Sequence, residues 1–421
     1  MNRAAIDTSE FSPEMNLLLS CCLKSEDPRQ DTDFLAQISG GVDWNIFLQL
    51  VQYHQVTPLV YDNLRRVTGS ETNGANGVPP RVLHRLKARF NRQRLHTLAL
   101  TAELLRIVTA CRAEGIDVIC LKGPVLAFQL YGDIAPRHIV DIDFLVREQD
   151  MEPIHAILTR NGFVPLHPEL FSSKLHWKVF KNSKHHVPYF HREKGCQLEL
   201  HLRLFKNIHV WPNSSLNAWV SPDTVVYAGV ELKTLSAIDN VLFLFVHGAI
   251  HKWCLLKWAA DIAQLSRSKQ VDWEKLRDRA LETGLERPVH QGLLLLERLF
   301  ALPVPQAFAR LPVDKTLLDM THHALTVIDE SRETAASGFF HALRKRFYLL
   351  GLKRERRYKL RYLRDLVYLD SHRGILRLPG YLYPLYILLN PFLWFYKSYI
   401  KRTAPGAAGR RTGQESRAKE C

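Results

Sequence analysis

The residues best suited to chemistry lie between Ile116 and Val146, where two carboxylates alternate with apolar residues. Asp141 and Asp143 are two apart, so in an extended strand they share one face. Two carboxylates on one face repel each other, and a divalent cation bound between them relieves that repulsion. The spacing therefore predicts a metal-binding pair on a strand.

A third carboxylate occurs in a second strand-like segment, Cys196 to Leu204. Here Gln197, Glu199 and His201 alternate with leucines, which predicts a half-buried strand with one polar face. If this strand pairs beside the Asp141 strand, Glu199 completes a triad of carboxylates and His201 shares its face. Mg2+ prefers oxygen ligands and retains waters and phosphates in its shell, so two or three carboxylates can hold it.

The segment ahead of the aspartates predicts an anion site. Gly123 permits a tight turn after a β-rich run, and Pro124 suits the first turn of a helix that extends to Tyr131. The free N–H groups at that helix start, with Lys122 beside them, would bind phosphate. Arg137 would add a planar set of donors near the carboxylates.

A second group of chemically capable residues follows further along the chain. His247 and His251 are four apart and so lie on one helix face, and Trp253 and Asp261 come soon after. Two interpretations stay open: these residues line an acceptor pocket, or they form a buried cluster that fixes the helix against the sheet. A zinc site is disfavoured, because no third ligand of suitable spacing is evident.

The elements that must position these residues can be read from periodicity and breakers. Apolar residues at helical spacing predict a long helix from Arg81 to Cys111 and further helices from Ser236 to Leu302. The predicted fold class is α+β, a small mixed sheet flanked by helical segments. The predicted divisions are a helical segment and flexible loop (1–80), a catalytic core (81–235), a helical domain (236–340), a basic aromatic helical segment (341–402) and a disordered tail (403–421).

Composition limits the setting of the protein. The 421 residues are 46% hydrophobic, the seven cysteines form no C-x-x-C pair, and the N-terminus lacks a signal-peptide pattern, which predicts reduced thiols and a cytoplasmic location. Much of the net charge of +15 comes from Arg344–Arg346 and Lys353–Arg361, followed by an aromatic segment, Tyr381–Lys397. Two interpretations of this last third stay open. Either its aromatic segment packs on the protein as a helix beside a solvated basic run, or the segment binds peripherally to the inner face of an anionic membrane. Nucleic acid is an unlikely partner, because no reading module accompanies the charge.

Taken together, these motifs resemble a known family. The ordered set Leu121-Lys122-Gly123, Arg137, Asp141-Ile142-Asp143 and Glu199-Leu200-His201 resembles the core of the bacterial uncharacterised nucleotidyltransferase family, within the DNA polymerase β-like superfamily. The resemblance covers residues 35–305, including the segments His54–Pro58, His247–Trp253 and Lys257–Asp261. It implies Asp141, Asp143 and Glu199 as catalytic metal ligands, and Lys122, Gly123 and Arg137 as donor-binding residues. Superfamily members usually present Gly-Ser where this chain has Lys122-Gly123, and Lys122 is the substitute.

The implied function is transfer of a nucleoside monophosphate from a nucleoside triphosphate to an acceptor, with Mg2+ or Mn2+. The acceptor would be a sugar, a sugar phosphate or a peptide or protein hydroxyl, in surface polysaccharide or exported-product biosynthesis. Three alternatives remain: a catalytically reduced nucleotide-binding protein, a membrane-associated assembly protein that depends on the C-terminal third, and a phosphocholine or glycosyl-phosphate transferase. The last needs the same carboxylates.

Overall fold

A computed structural model describes residues 11–23, 28–68, 77–171, 184–268, 270–329 and 347–367, with a few isolated positions beyond them. Several predictions of the sequence therefore lie outside the described residues. They concern the loop at 69–76, the basic run at 344–346, nearly all of the aromatic segment at 381–397 and the tail at 403–421.

Helices form the first part of the described chain. Asp43 begins one of them, because its carboxylate accepts the backbone N–H groups of Asn45 and Ile46. The predicted long helix is confirmed, and it begins where Pro80 occupies the first turn. The helices are α1 (Pro13–Cys22), α2 (Pro28–Ser39), α3 (Trp44–Tyr53), α4 (Thr57–Thr68) and α5 (Pro80–Ala113).

A mixed sheet of seven strands follows within the described residues, in the order β3-β4-β5-β2-β1-β7-β6. Neighbours β2 and β5 run parallel, as do β1 and β7, and the other pairs are antiparallel. The strands are β1 (Ile119–Cys120), β2 (Asp141–Leu145), β3 (Phe163–Pro165), β4 (His186–His191), β5 (Cys196–His201), β6 (Asp223–Tyr227) and β7 (Val230–Thr234). Among the described residues, the α-helices between strands are α6 (Gly123–Tyr131), α7 (Met151–Arg160) and α8 (Ser214–Asn217), with short 3-10 turns at Glu148–Asp150 and Pro168–Phe171.

Helices return after the sheet, as the periodicity predicts. Ser236 caps the first of them by accepting the N–H of Asp239, and Gly284 ends another in the left-handed conformation. The helices are α9 (Ala237–Ile250), α10 (Leu256–Arg267), α11 (Trp273–Thr283), α12 (Glu286–Phe300), α13 (Gln306–Ala309), α14 (Lys315–Asp329) and α15 (Arg356–Val367). The α+β fold class is confirmed.

Two hydrophobic cores flank the sheet. Ile142 and Phe144 of β2 pack with α7 and the second half of α5, whereas Leu145 belongs to a core formed by helices from both ends of the chain. The carboxylate face of the sheet is therefore covered. The prediction that Cys196–Leu204 is half-buried is wrong, because Glu199 and His201 are only 8% and 5% exposed.

The start of the basic C-terminal third is partly structural. Lys353 is buried and its Nζ donates to the carbonyl of Thr283 at 2.7 Å, whereas Arg356, Arg357 and Arg361 of α15 are exposed. Only part of this charge is therefore available to a partner. Among the helices of the described residues, none has the length and apolar character needed to cross a membrane.

Candidate active site

The register of two parallel strands creates the candidate site. Asp143 of β2 lies directly beside Glu199 of β5, and Asp141 lies beside Gln197. In-register residues on neighbouring strands have Cβ atoms about 5 Å apart, whereas residues two apart on one strand are separated by nearly 7 Å. The closest carboxylate partner of Asp143 across the sheet is thus Glu199, on a strand that is distant in sequence.

Asp143 is held between two cations. Its Oδ2 lies 3.3 Å from Lys122 Nζ, and its Oδ1 lies 2.9 Å from His201 Nε2. Burial opposes ionisation of Asp143, but Lys122 and His201 outweigh it and hold the pKa of this carboxyl well below its usual range. The charge of Lys122 is favoured in the same way. Burial opposes it, but Asp143, Asp141 and Glu199 raise the pKa of this lysine. Both groups are therefore charged at neutral pH.

Glu199 lies in the same hydrogen-bonded cluster. Its Oε1 accepts from Gln197 Nε2 at 3.3 Å, and its Oε2 lies 3.5 Å from His201 Nε2 and 3.6 Å from His186 Nε2. Despite burial, these histidines lower the pKa of Glu199 to about 2. Burial also disfavours protonation of His201, but its bonds to Asp143 and Glu199 raise its pKa to about 9. Without a metal, an imidazolium therefore bridges the two carboxylates.

Of the two sets of described residues that could hold a metal ion, one contains both buried carboxylates. Asp143, Glu199 and His201 each offer one ligand atom, and these atoms lie within 4.8 Å of one another. Asp141 belongs to no such set among the described residues. It is half-buried on the same face of β2, and its charge helps to raise the pKa of Lys122.

The turn before α6 places Lys122 beside Asp143. Gly123 has a φ of +62°, and a Cβ there would lie 3.2 Å from the carbonyl oxygen of Asp141, so glycine is required. The backbone N–H of Leu121 donates to the carbonyl of Asp143 at 3.1 Å, which fixes this turn to β2. The predicted proximity of Lys122, the start of α6 and the aspartates is therefore present in the structure.

Arg137 is paired with a carboxylate on a later helix. Its Nε donates to Asp261 Oδ2 at 3.0 Å, and both residues are buried. Lys257 lies one helical turn before Asp261, and its Nζ donates to Gln55. Burial and the charge of Arg137 lower the pKa of Lys257 to about 8. The i, i+4 spacing places Lys257 and Asp261 on one face of α10.

The sequence left two interpretations of the histidine and tryptophan cluster, an acceptor pocket or a buried cluster, and its members differ in which one they fit. His247 Nε2 lies 3.4 Å from Lys122 Nζ, and its ring lies 4.7 Å from that of His251. Trp253, in contrast, is fully buried against Gly248 and Gly292. His247 thus lies at the candidate site, and Trp253 lies in the core.

Two further histidines were missed. His186 is paired with His201 across β4 and β5, and His185 lies just before β4, with its ring 5.4 Å from that of His201. Burial lowers the pKa of His186 to about 4. The signal was the adjacent pair of histidines at the start of a β-rich segment.

A mixed sheet that places buried carboxylates beside a lysine at a helix start is suited to the transfer of phosphate-linked groups. Residues 40–301, more than half of the chain, match the family model described as uncharacterised nucleotidyltransferase. The chain therefore belongs to this family and is an enzyme that transfers nucleotidyl groups. No curated protein and no solved structure is similar enough to count as a match.

Proposed function

We propose that this protein joins a nucleoside monophosphate, taken from a nucleoside triphosphate, to a hydroxyl group of an acceptor, with release of pyrophosphate. We also propose that it belongs to the DNA polymerase β-like superfamily. The observation that carries this proposal is the in-register pair of Asp143 and Glu199 on parallel strands, with Lys122 at the start of α6 beside them.

The residues present fit a divalent metal ion. Asp143 and Glu199 are ionised and supply the oxygen ligands that Mg2+ or Mn2+ prefers, with Asp141 on the same face. A cation bound there would neutralise charge on the donor phosphates and on the departing pyrophosphate. The depressed pKa of Glu199 makes it a weak proton acceptor, which favours a role as metal ligand over a role as general base.

The remaining polar groups would bind and orient the donor. Lys122 and the free N–H groups at the start of α6 would hold its phosphates. Arg137 and Lys257 would add positive charge near the donor phosphates. Lys257 is close enough to Asp141 and to Arg137 for the charge of each to shift its pKa. Asp261 would keep Arg137 in place through its buried ion pair. The chain would therefore contribute mainly positioning and electrostatic stabilisation.

We place the acceptor in a cavity at the carboxyl ends of the catalytic strands, and because Lys122, Asp143 and Glu199 do not line it, the acceptor would have to extend from it to the carboxylates. Because β2 and β5 are parallel, their carboxyl ends meet at one edge of the sheet, where a cavity of about 1260 Å³ opens. Its lining includes Phe205, Trp211 and Trp219, and the guanidinium of Arg147 lies 4.0 Å from the Trp219 ring centre. Aromatic faces with a nearby cation suit a sugar or sugar phosphate, although a peptide hydroxyl would also fit this volume. A role in surface polysaccharide or exported-product biosynthesis, in the cytoplasm or at the inner membrane face, is part of this proposal.

Pyrophosphate release tests the proposal directly. The purified protein would be supplied with each of the four ribonucleoside triphosphates, Mg2+ or Mn2+, and a cell extract as the source of acceptors. We expect release that depends on the extract and is lost in Asp143→Asn and Glu199→Gln. Glu231→Gln, a carboxylate substitution on β7 of the same sheet, is the matched control and should remain active. Release that is equal in all three variants would contradict the assigned site.

A second candidate is nucleotide binding without turnover. One observation favours it: both oxygens of Asp143 already contact cations of the protein itself, so a metal must compete with Lys122 and His201 for them. This candidate predicts saturable triphosphate binding by equilibrium dialysis, with no pyrophosphate release in any extract.

A further inference from the structure

Three imidazoles cluster at the junction of β4 and β5, beside the carboxylates. The ring of His186 lies 4.5 Å from that of His185 and 5.1 Å from that of His201. One nitrogen from each of the three rings lies within 4.8 Å of the others. This group shares His201 with the carboxylate set but otherwise has a different ligand chemistry.

The spacing within the cluster matches that of ligands around one small cation. His186 Nδ1 lies 3.4 Å from His185 Nε2. Two nitrogens bound tetrahedrally to zinc at 2.0–2.1 Å are about 3.3–3.4 Å apart. On the opposite side of its ring, His186 Nε2 lies 3.6 Å from Glu199 Oε2, a contact that orients the ring with Nδ1 towards His185.

A buried nitrogen of His201 lacks a hydrogen-bond partner. Its Nδ1 is inaccessible to solvent and has no such partner within the described part of the chain, although Nε2 is bonded to Asp143. Most buried polar atoms are paired, so this one requires an explanation. A metal ion coordinated by the imidazole cluster would supply it. The side chain of His186 is 27% exposed, which provides an entry path.

We propose that His185, His186 and His201 bind a zinc-class divalent cation at a site that shares only His201 with the carboxylate set. Imidazole nitrogens favour zinc and its transition-metal neighbours, whereas carboxylate oxygens favour magnesium. The site goes beyond nucleotidyl transfer and does not depend on it, because its occupancy can be measured without any nucleotide.

Metal titration of the tag-free, chelator-treated full-length protein tests this site. Zn2+ would be titrated in competition with a chromophoric chelator, and Co2+ would be added separately to record its visible spectrum. We expect one tight Zn2+ per chain, an increase in melting temperature on zinc addition, and the intense absorption of tetrahedral Co2+. The double variant His185→Gln/His186→Gln should bind Zn2+ at least about a hundredfold more weakly, since even outer-sphere changes cost up to that much.

His167→Gln is the matched control, because the chain has 19 histidines and His167 is an exposed one that contacts Glu169. It should bind zinc like the wild type. Equal zinc affinity in the double variant and the wild type would overturn the proposal. So would a Co2+ spectrum of the wild-type protein without the tetrahedral band, a result that requires no variant to fold. Neither outcome bears on pyrophosphate release, which is assayed with Mg2+ or Mn2+.

Discussion

Replacing Lys122 by methionine should lower the stability of the protein, strengthen its binding of Mn2+ and slow its turnover. Methionine retains most of the length of the side chain and removes the ammonium group. In the structure this ammonium lies 3.3 Å from Asp143 Oδ2, and 19% of the Lys122 side chain is exposed. At an effective dielectric constant of about 20, that separation gives roughly 5 kcal/mol of gross attraction.

Desolvation of the buried amine offsets much of that attraction. Hydrogen bonds to charged groups contribute about 1.5–3 kcal/mol net, so we expect the free energy of unfolding to fall by that amount. His201 remains to compensate Asp143, which keeps the loss from being larger. Because Lys122 competes with a metal for Asp143, its removal should strengthen Mn2+ binding in the absence of nucleotide by about tenfold, or 1.4 kcal/mol. Turnover should nevertheless fall by roughly 100- to 1000-fold, as when one charge-stabilising donor is lost.

Three assays separate these effects: urea unfolding, electron paramagnetic resonance of free Mn2+, and pyrophosphate release. Lys233→Met is the matched control, since Lys233 pairs with Asp117 in a partly exposed ion pair on the same sheet. Its cost should be below about 1 kcal/mol, with no change in Mn2+ affinity. Weaker Mn2+ binding in Lys122→Met, or unchanged turnover, would refute the reasoning.

Two further predictions concern stability. Burial lowers the pKa of His54 to about 3, and its Nδ1 accepts the N–H of Leu256. Below pH 6.5 this histidine is therefore protonated in the unfolded chain but stays neutral in the folded one. Stability should therefore fall by about 2 kcal/mol between pH 6.5 and pH 5 from this group alone, and His54→Asn, but not the exposed His84→Asn, should reduce that loss in urea unfolding at both pH values. Gly292→Ala would place a Cβ 2.5 Å from the buried Phe245 ring and 2.8 Å from Trp253, so we expect a loss of about 1–3 kcal/mol by the same assay. Gly351→Ala meets the flexible Met320 side chain and should cost less.

Local patterns were sufficient to predict much of the fold. Alternation identified β2 and β5, and apolar spacing identified α5 and the helices after the sheet. The same alternation predicted that Glu199 and His201 share one face. Gly123 and Pro124 predicted the turn that precedes α6. These features depend on neighbours in sequence, and period and turn chemistry report them directly.

Burial and pairing could not be predicted in the same way. Alternation suggested that β5 exposes its polar face, but helices distant in sequence cover that face, and its charges are compensated within the protein. Nothing local to Arg137 indicates its ion-pair partner, Asp261, which lies on a helix that begins more than a hundred residues later. Such partners are determined by tertiary contacts, which no local period encodes.

The histidine cluster shows the same limit most clearly. Nothing in the spacing of His185 and His186 relates them to His201, fifteen residues or more along the chain, until β4 and β5 are paired with His186 opposite His201. A one-residue shift in that pairing would turn His186 to the other face of the sheet and separate it from Glu199. The cluster is thus a property of strand register, and the same register places two different sets of metal-binding atoms around His201. The two sets therefore differ in every ligand except His201.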